Sequence, residues 1–123
     1  MGRAATIFVY GTLKRGCRNH SVLQSAEFVG TAWTEPGYRM VHCGAYPGLV
    51  RAEQGEQGSG EPVCGELYRV DEVLLAALDL FEDAPNEFER ESIRLTDGRE
   101  AQAYLYRGDA EHLPGCGPVW NES

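Results

Sequence analysis

The spacing of apolar residues changes several times along the 123-residue chain, and each change predicts a new element. Residues 6–10 (TIFVY) form a β-branched and aromatic run that breaks at Gly11, the pattern of a buried strand feeding a loop over residues 11–16. A brief helix is expected over 19–25, followed by a strand over 27–33, a turn at Glu35-Pro36-Gly37, and a strand over 38–41 that pairs antiparallel with the one before it. Cys43-Gly44-Ala45-Tyr46-Pro47-Gly48 is broken by two glycines and a proline before apolar Leu49 and Val50. Residues 53–62 (EQGEQGSGEP) are too polar and glycine-rich to pack and read as a solvated hairpin tip.

The period then changes to that of a helix. Residues 63–70 form a strand, and Asp71 offers an N-cap for a helix running to about Phe81, with Glu72 favourable in its first turn. Leu74, Leu78 and Phe81 recur at helical spacing; Glu82 follows Leu78 by four residues, so its carboxylate emerges on or near the core-facing stripe. Pro85 prevents continuation. Two strands, 88–95 and 101–106, are joined by Thr96-Asp97-Gly98-Arg99, whose Asp-Gly pair signals a hairpin, and the chain from Gly108 onward is loop-rich. This order predicts one α+β domain over 1–123 with a mixed, curved or barrel-like sheet and one main helix; a doubly wound parallel sheet would need helices alternating with strands.

Charge narrows the partners. A formal net charge of -8 argues against a phosphate-tracking nucleic-acid binder or an anionic-membrane binder, because both need clustered Lys and Arg. No apolar run approaches the roughly 20 residues that span a bilayer, and MGRAATIFVY lacks a signal-peptide pattern, so a cytoplasmic protein with a small-molecule or protein partner is expected. The loose myristoylation match at the start and the sequons at Asn19 and Asn121 carry no weight in that setting. Cys17, Cys43, Cys64 and Cys116 show no CxxC pair and no zinc-type spacing with His20, His42 or His112, so free thiols and no metal are expected.

Several short blocks together resemble one family. They are Val9-Tyr10-Gly11-Thr12-Leu13-Lys14-Arg15-Gly16, Asn19-His20, Tyr46-Pro47-Gly48-Leu49, Val63-Cys64-Gly65-Glu66-Leu67-Tyr68 and Leu78-Asp79-Leu80-Phe81-Glu82. In this order, over about residues 7–106, they resemble the gamma-glutamylcyclotransferase-like family, nearest its AIG2-like and gamma-glutamylamine cyclotransferase branch. The resemblance implies a mixed barrel flanked by short helices, and a cofactor-free enzyme. That enzyme releases an amine from a gamma-glutamyl amide while the glutamyl part closes to 5-oxoproline. It also implies that Glu82 is the catalytic acid-base and that Tyr10, Gly11, Thr12 and Leu13 cradle the glutamyl end.

Physical chemistry supplies reasons for those roles. A helix C-terminus carries partial negative charge, Asp83 adds more, and an apolar surround disfavours ionisation, so Glu82 is expected to be a weak acid and hence a better base. Gly11 permits close backbone approach, and successive amides form an anion-binding nest. Pro47 fixes a second wall, with Tyr46 either lining the pocket or only packing. Lys14 and Arg15 read chiefly as solvated charge, Asp79 and Asp83 as structural or exposed, and Glu66 as either exposed or directed into the barrel. One departure stands out: Phe88 occupies a position where the family commonly has tyrosine, which keeps open a non-catalytic ligand-binding or interaction module on the same fold.

Overall fold

A computed structural model describes residues 5–52 and 60–121. Most of the hairpin tip expected over 53–62 therefore lies outside the described residues. The strands are β1 (Ala5–Val9), β2 (Glu27–Trp33), β3 (Tyr38–His42), β4 (Pro47–Arg51), β5 (Cys64–Val70), β6 (Phe88–Arg94) and β7 (Glu100–Tyr106). One α-helix, α1 (Glu72–Phe81), and a short 3-10 helix, His20–Leu23, accompany them. The fold is α+β, as its element order predicts.

The sheet runs β2-β5-β1-β7-β4-β3, with β6 on the remaining edge of β7. β2 and β3 do not pair, contrary to the hairpin expected from the Glu35-Pro36-Gly37 turn. The connection between them spends its hydrogen bonds elsewhere: Thr34 N–H donates to Val63 C=O at 2.9 Å and Glu35 N–H to Arg94 C=O at 3.0 Å. The two strands are thereby sent to opposite ends of the sheet. Nor is the sheet closed into a barrel, because β2 and β6 approach only beyond their ends, at the single bridge Thr34 to Leu95.

A fork in the sheet creates the place for a site. β6 occupies one edge of β7 along its whole length, so β1 and β4 share the other, meeting it in parallel at Ile7–Gln102 and Leu49–Leu105. Where β1 departs from this edge, the Tyr10 hydroxyl stands in for a strand: it donates to Tyr104 C=O at 2.6 Å and accepts from Leu49 N–H at 3.1 Å. Strand alternation divides the core between the two sheet faces. Phe8, Tyr10, Leu49, Leu67, Ala103 and Leu105 belong to one cluster. Ile7, Val9, Tyr68, Phe88 and Tyr104 belong to the other, which α1 covers with fully buried Leu78.

The helix starts as expected, with the Asp71 carboxylate accepting from Leu74 N–H at 2.8 Å. Its inner stripe is narrower than the spacing suggested, since Phe81 is 45% exposed. The C-terminal segment does more than trail away. Gly115 bridges Val41, Cys64 N–H donates to Pro118 C=O at 2.8 Å, and Trp120 packs against the first core cluster.

Candidate active site

Glu82 is placed by the way α1 ends. Asp83 takes a left-handed conformation (φ 54°), Asp83 N–H donates to Leu80 C=O at 3.1 Å, and Ala84 N–H donates to Asp79 C=O at 2.9 Å. These are the paired bonds of a Schellman ending, which satisfies the last carbonyls and fixes the direction in which the chain leaves. Glu82 is the C-cap residue of that ending, half-buried, while Asp83 is exposed.

The loop after β1 is held at several points. Asn19 donates from its backbone N–H to Thr12 C=O at 2.9 Å and from Nδ2 to Thr12 Oγ1 at 3.0 Å, and His20 Nδ1 lies 2.9 Å from Leu13 C=O. Lys14 is buried rather than solvated, its Nζ donating to Trp120 C=O at 2.6 Å. Arg15 is exposed and covers the Phe28 ring at 3.9 Å. Its backbone N–H reaches Glu66 Oε1 at 2.9 Å, and Tyr68 donates to the same oxygen at 3.0 Å. Glu66 is thus a buried anchor for the loop and does not line the cavity described next. Pro47 lies directly against Gly11, where a Cβ would meet its Cγ at 2.6 Å and its Cδ at 2.9 Å, so the close approach requires glycine.

These elements line a half-open cavity of about 280 Å³ at the sheet fork. Tyr10, Gly11, Thr12, Leu13, Tyr46, Pro47 and Glu82 all line it, so every site residue proposed from the sequence faces the same space. Arg18, Asn19, Phe81, Glu87, Phe88 and Tyr104 complete much of the wall. Asn19 belonged to a recognisable block, but Glu87 had no spacing signal, because it follows the turn after Pro85 and no periodicity extends through it.

Burial is the main cause that pushes the Glu82 carboxyl up to about 7, and the charge of Glu87 adds to it. Glu87, rather than sequence-adjacent Asp83, is therefore the acid that acts on Glu82. The Glu87 carboxylate in turn accepts a hydrogen bond from the Tyr46 hydroxyl. That bond, followed by burial and the Glu87 charge, pushes the Tyr46 phenol up to about 12. Phe88 is buried between aromatic neighbours, its ring centroid 6.1 Å from Tyr46 and 5.6 Å from Tyr106.

Asp79 has a structural part. Arg90 grips its carboxylate with Nε at 2.9 Å and Nη2 at 3.1 Å, and the Tyr104 hydroxyl donates to it at 2.6 Å. Burial alone would raise Asp79, but the Arg90 and Tyr104 hydrogen bonds and the Arg90 charge outweigh it and hold the carboxyl below its ordinary value. The four cysteines are half-buried; burial, then Glu87 and Cys116, push Cys43 up to about 11, which makes it a poor nucleophile at neutral pH. Exposed Asp109, Glu111 and His112 bring donor atoms within 4.8 Å of one another, but none of them lines the cavity.

A half-open pocket lined by both a weakly acidic carboxyl and a glycine-bearing loop has the make-up of a candidate small-molecule site. The profile of the family described as Gamma-glutamyl cyclotransferase, AIG2-like matches residues 7–120, and the chain belongs to that family. A Vibrio cholerae protein provisionally named a gamma-glutamylcyclotransferase is 44% identical over 101 residues, covering 82% of this chain and 81% of its own. The gamma-glutamylaminecyclotransferase of Mus musculus is 40% identical over 114 residues, covering 87% of this chain and 70% of its own. The crystal structure of an AIG2-like protein from Mus musculus superposes with a TM-score of 0.77 at 32% identity, covering 98% of this chain and 97% of that one. The family match extends past residue 106 into the C-terminal segment, consistent with the packing of Trp120 on the core.

Proposed function

We propose that the protein releases an amine from gamma-glutamyl amines, with Glu82 moving the protons. The nucleophile is the substrate's own α-amine. Glu82 takes a proton from it as it attacks the γ-carbonyl, the five-membered ring closes, and the γ-carbon–nitrogen bond breaks. Glu82 returns the proton to the departing nitrogen, leaving 5-oxoproline and the free amine. One carboxyl performs both transfers because a group with a pKa near the working pH is a competent base and, once protonated, a competent acid. The backbone of Gly11, Thr12 and Leu13 receives the glutamyl carboxylate and steadies negative charge on the carbonyl oxygen, while the cavity holds the amine in attack position.

The observation that carries this reading is Glu82 itself: a carboxyl raised to about 7 in the same cavity as the loop after β1. The relatives named for gamma-glutamylamines favour an amine as leaving group. Incubation with a panel of gamma-glutamyl amines should yield 5-oxoproline, detected chromatographically. Glu82→Gln should reduce turnover by at least about a hundredfold, the lower end of what acid-base catalysis contributes. Sustained product formation by Glu82→Gln would remove Glu82 from the mechanism, and a wild-type protein that bound the amides without cleaving any would be a ligand-binding module.

A further inference from the structure

We propose that Glu87 reads the leaving amine, selecting gamma-glutamyl amides whose departing amine carries a second, protonated nitrogen, with Tyr46 positioning its carboxylate. The proposal rests on the cyclotransferase reading and assigns substrate class to a residue that the reaction does not itself require.

The position of Glu87 is tightly specified. Its N–H donates to Asp83 C=O at 3.0 Å, its C=O accepts from Arg107 N–H at 2.8 Å, and Tyr46 donates to Oε2. The Tyr46 ring rests in turn on Phe88, so the carboxylate is held against the cavity wall from both its backbone and its tip. A carboxylate has room for about four hydrogen bonds, and one phenol donor leaves capacity for an ammonium group.

Charge is distributed unevenly around the cavity. Glu82 and Glu87 both line it, and the aromatic side chains of Phe81, Tyr46 and Phe88 accompany them. Among the described residues Arg18 is the one basic residue in the lining, and it lies in the segment that carries Thr12 and Asn19, on the side to which the proposed mechanism assigns the glutamyl carboxylate. A gamma-glutamyl diamine matches this division: its carboxylate goes to the loop and its distal ammonium to the acid-and-aromatic wall. A neutral leaving amine leaves Glu87 uncompensated, and an anionic one is repelled. Phe88 fits the same account, because the polar contact on this wall comes from Tyr46 and Glu87 instead of a phenol at position 88.

The test compares the gamma-glutamyl monoamide of a linear diamine with the gamma-glutamyl amide of the uncharged-tail alkylamine of equal length. Turnover is read as kcat/KM from 5-oxoproline release. Equilibrium affinity is read separately by calorimetry in Glu82→Gln and in Glu82→Gln/Glu87→Gln. Wild type should prefer the diamine compound, Glu87→Gln should lose at least about tenfold of that preference, and Tyr46→Phe should lose part of it. The double variant should lose the same affinity preference. A preference untouched by Glu87→Gln in both readouts overturns the proposal, as does equal handling of the two compounds by wild type. If neither compound yields 5-oxoproline, the cyclotransferase reading falls, and the calorimetric pair still decides whether Glu87 reads the cation.

Discussion

Glu82 illustrates a conflict between chemistry and stability within one side chain. Its carboxyl moves from an ordinary 4.5 to about 7 because burial, followed by the Glu87 charge, disfavours the ionised form. The native state therefore holds the proton more tightly than the unfolded chain. Below about 4.5 both states are protonated and the group contributes no penalty; as pH rises toward 7 the unfolded chain ionises first, and stability falls until the native carboxyl also ionises. The full penalty is bounded by about 3 kcal/mol, at 1.36 kcal/mol per pH unit of displacement. Glu82→Gln should accordingly be more stable than wild type at pH 8 by a sizeable part of that figure, with the difference vanishing near pH 4. Urea unfolding at the two pH values measures it, and a difference independent of pH would show that Glu82 is not held as a weak acid.

At the scale of elements, the site depends on the fork where β1 and β4 share one edge of β7, and the fork depends on the Tyr10 hydroxyl. Tyr10→Phe keeps the ring but strips partners from Leu49 N–H and Tyr104 C=O, both within the core. Each unsatisfied buried group costs about 1–3 kcal/mol, so a loss of roughly 2–6 kcal/mol is expected from denaturant midpoints at an unchanged m-value. A loss below about 1 kcal/mol would mean that the fork closes without the hydroxyl. This dependence also shows what the sequence made legible. Six of the strands and α1 were readable because alternation, the Asp71 cap and the Asp-Gly hairpin are local signals, whereas β4 (Pro47–Arg51) was not, because Pro47 and Gly48 interrupt its pattern. The fork was not, since it arises from parallel pairings between distant segments, and the expected β2–β3 hairpin failed because Val63 and Arg94 outcompete the local turn for its backbone groups. Tyr10 to Leu13, Tyr46, Pro47 and Glu82, which line one cavity, were singled out through ordered motif blocks. Glu87 was not, because only the folded turn after α1 brings it beside Glu82.

Across the whole molecule, 19 acidic against 11 basic residues give a field that a single cavity carboxylate does not make. Such a field acts over distance, on encounter rate, and is screened within roughly 10 Å at 0.1 M salt and about 3 Å at 1 M. Glu87 acts at contact, on how long and in what pose the amine is held, which salt weakens far less. The two effects are therefore separable in one experiment. Raising salt from low to near-molar should lower kcat/KM for a gamma-glutamyl compound with a cationic amine, leave a neutral-tailed one nearly flat, and raise it for an anionic one. In Glu87→Gln the cationic compound should start from a lower kcat/KM yet keep most of its salt slope, because that variant changes only one of the 19 acids. Parallel salt dependence for all three compounds would show that the net charge plays no part in substrate capture, and a slope abolished by Glu87→Gln would place the whole electrostatic preference inside the cavity.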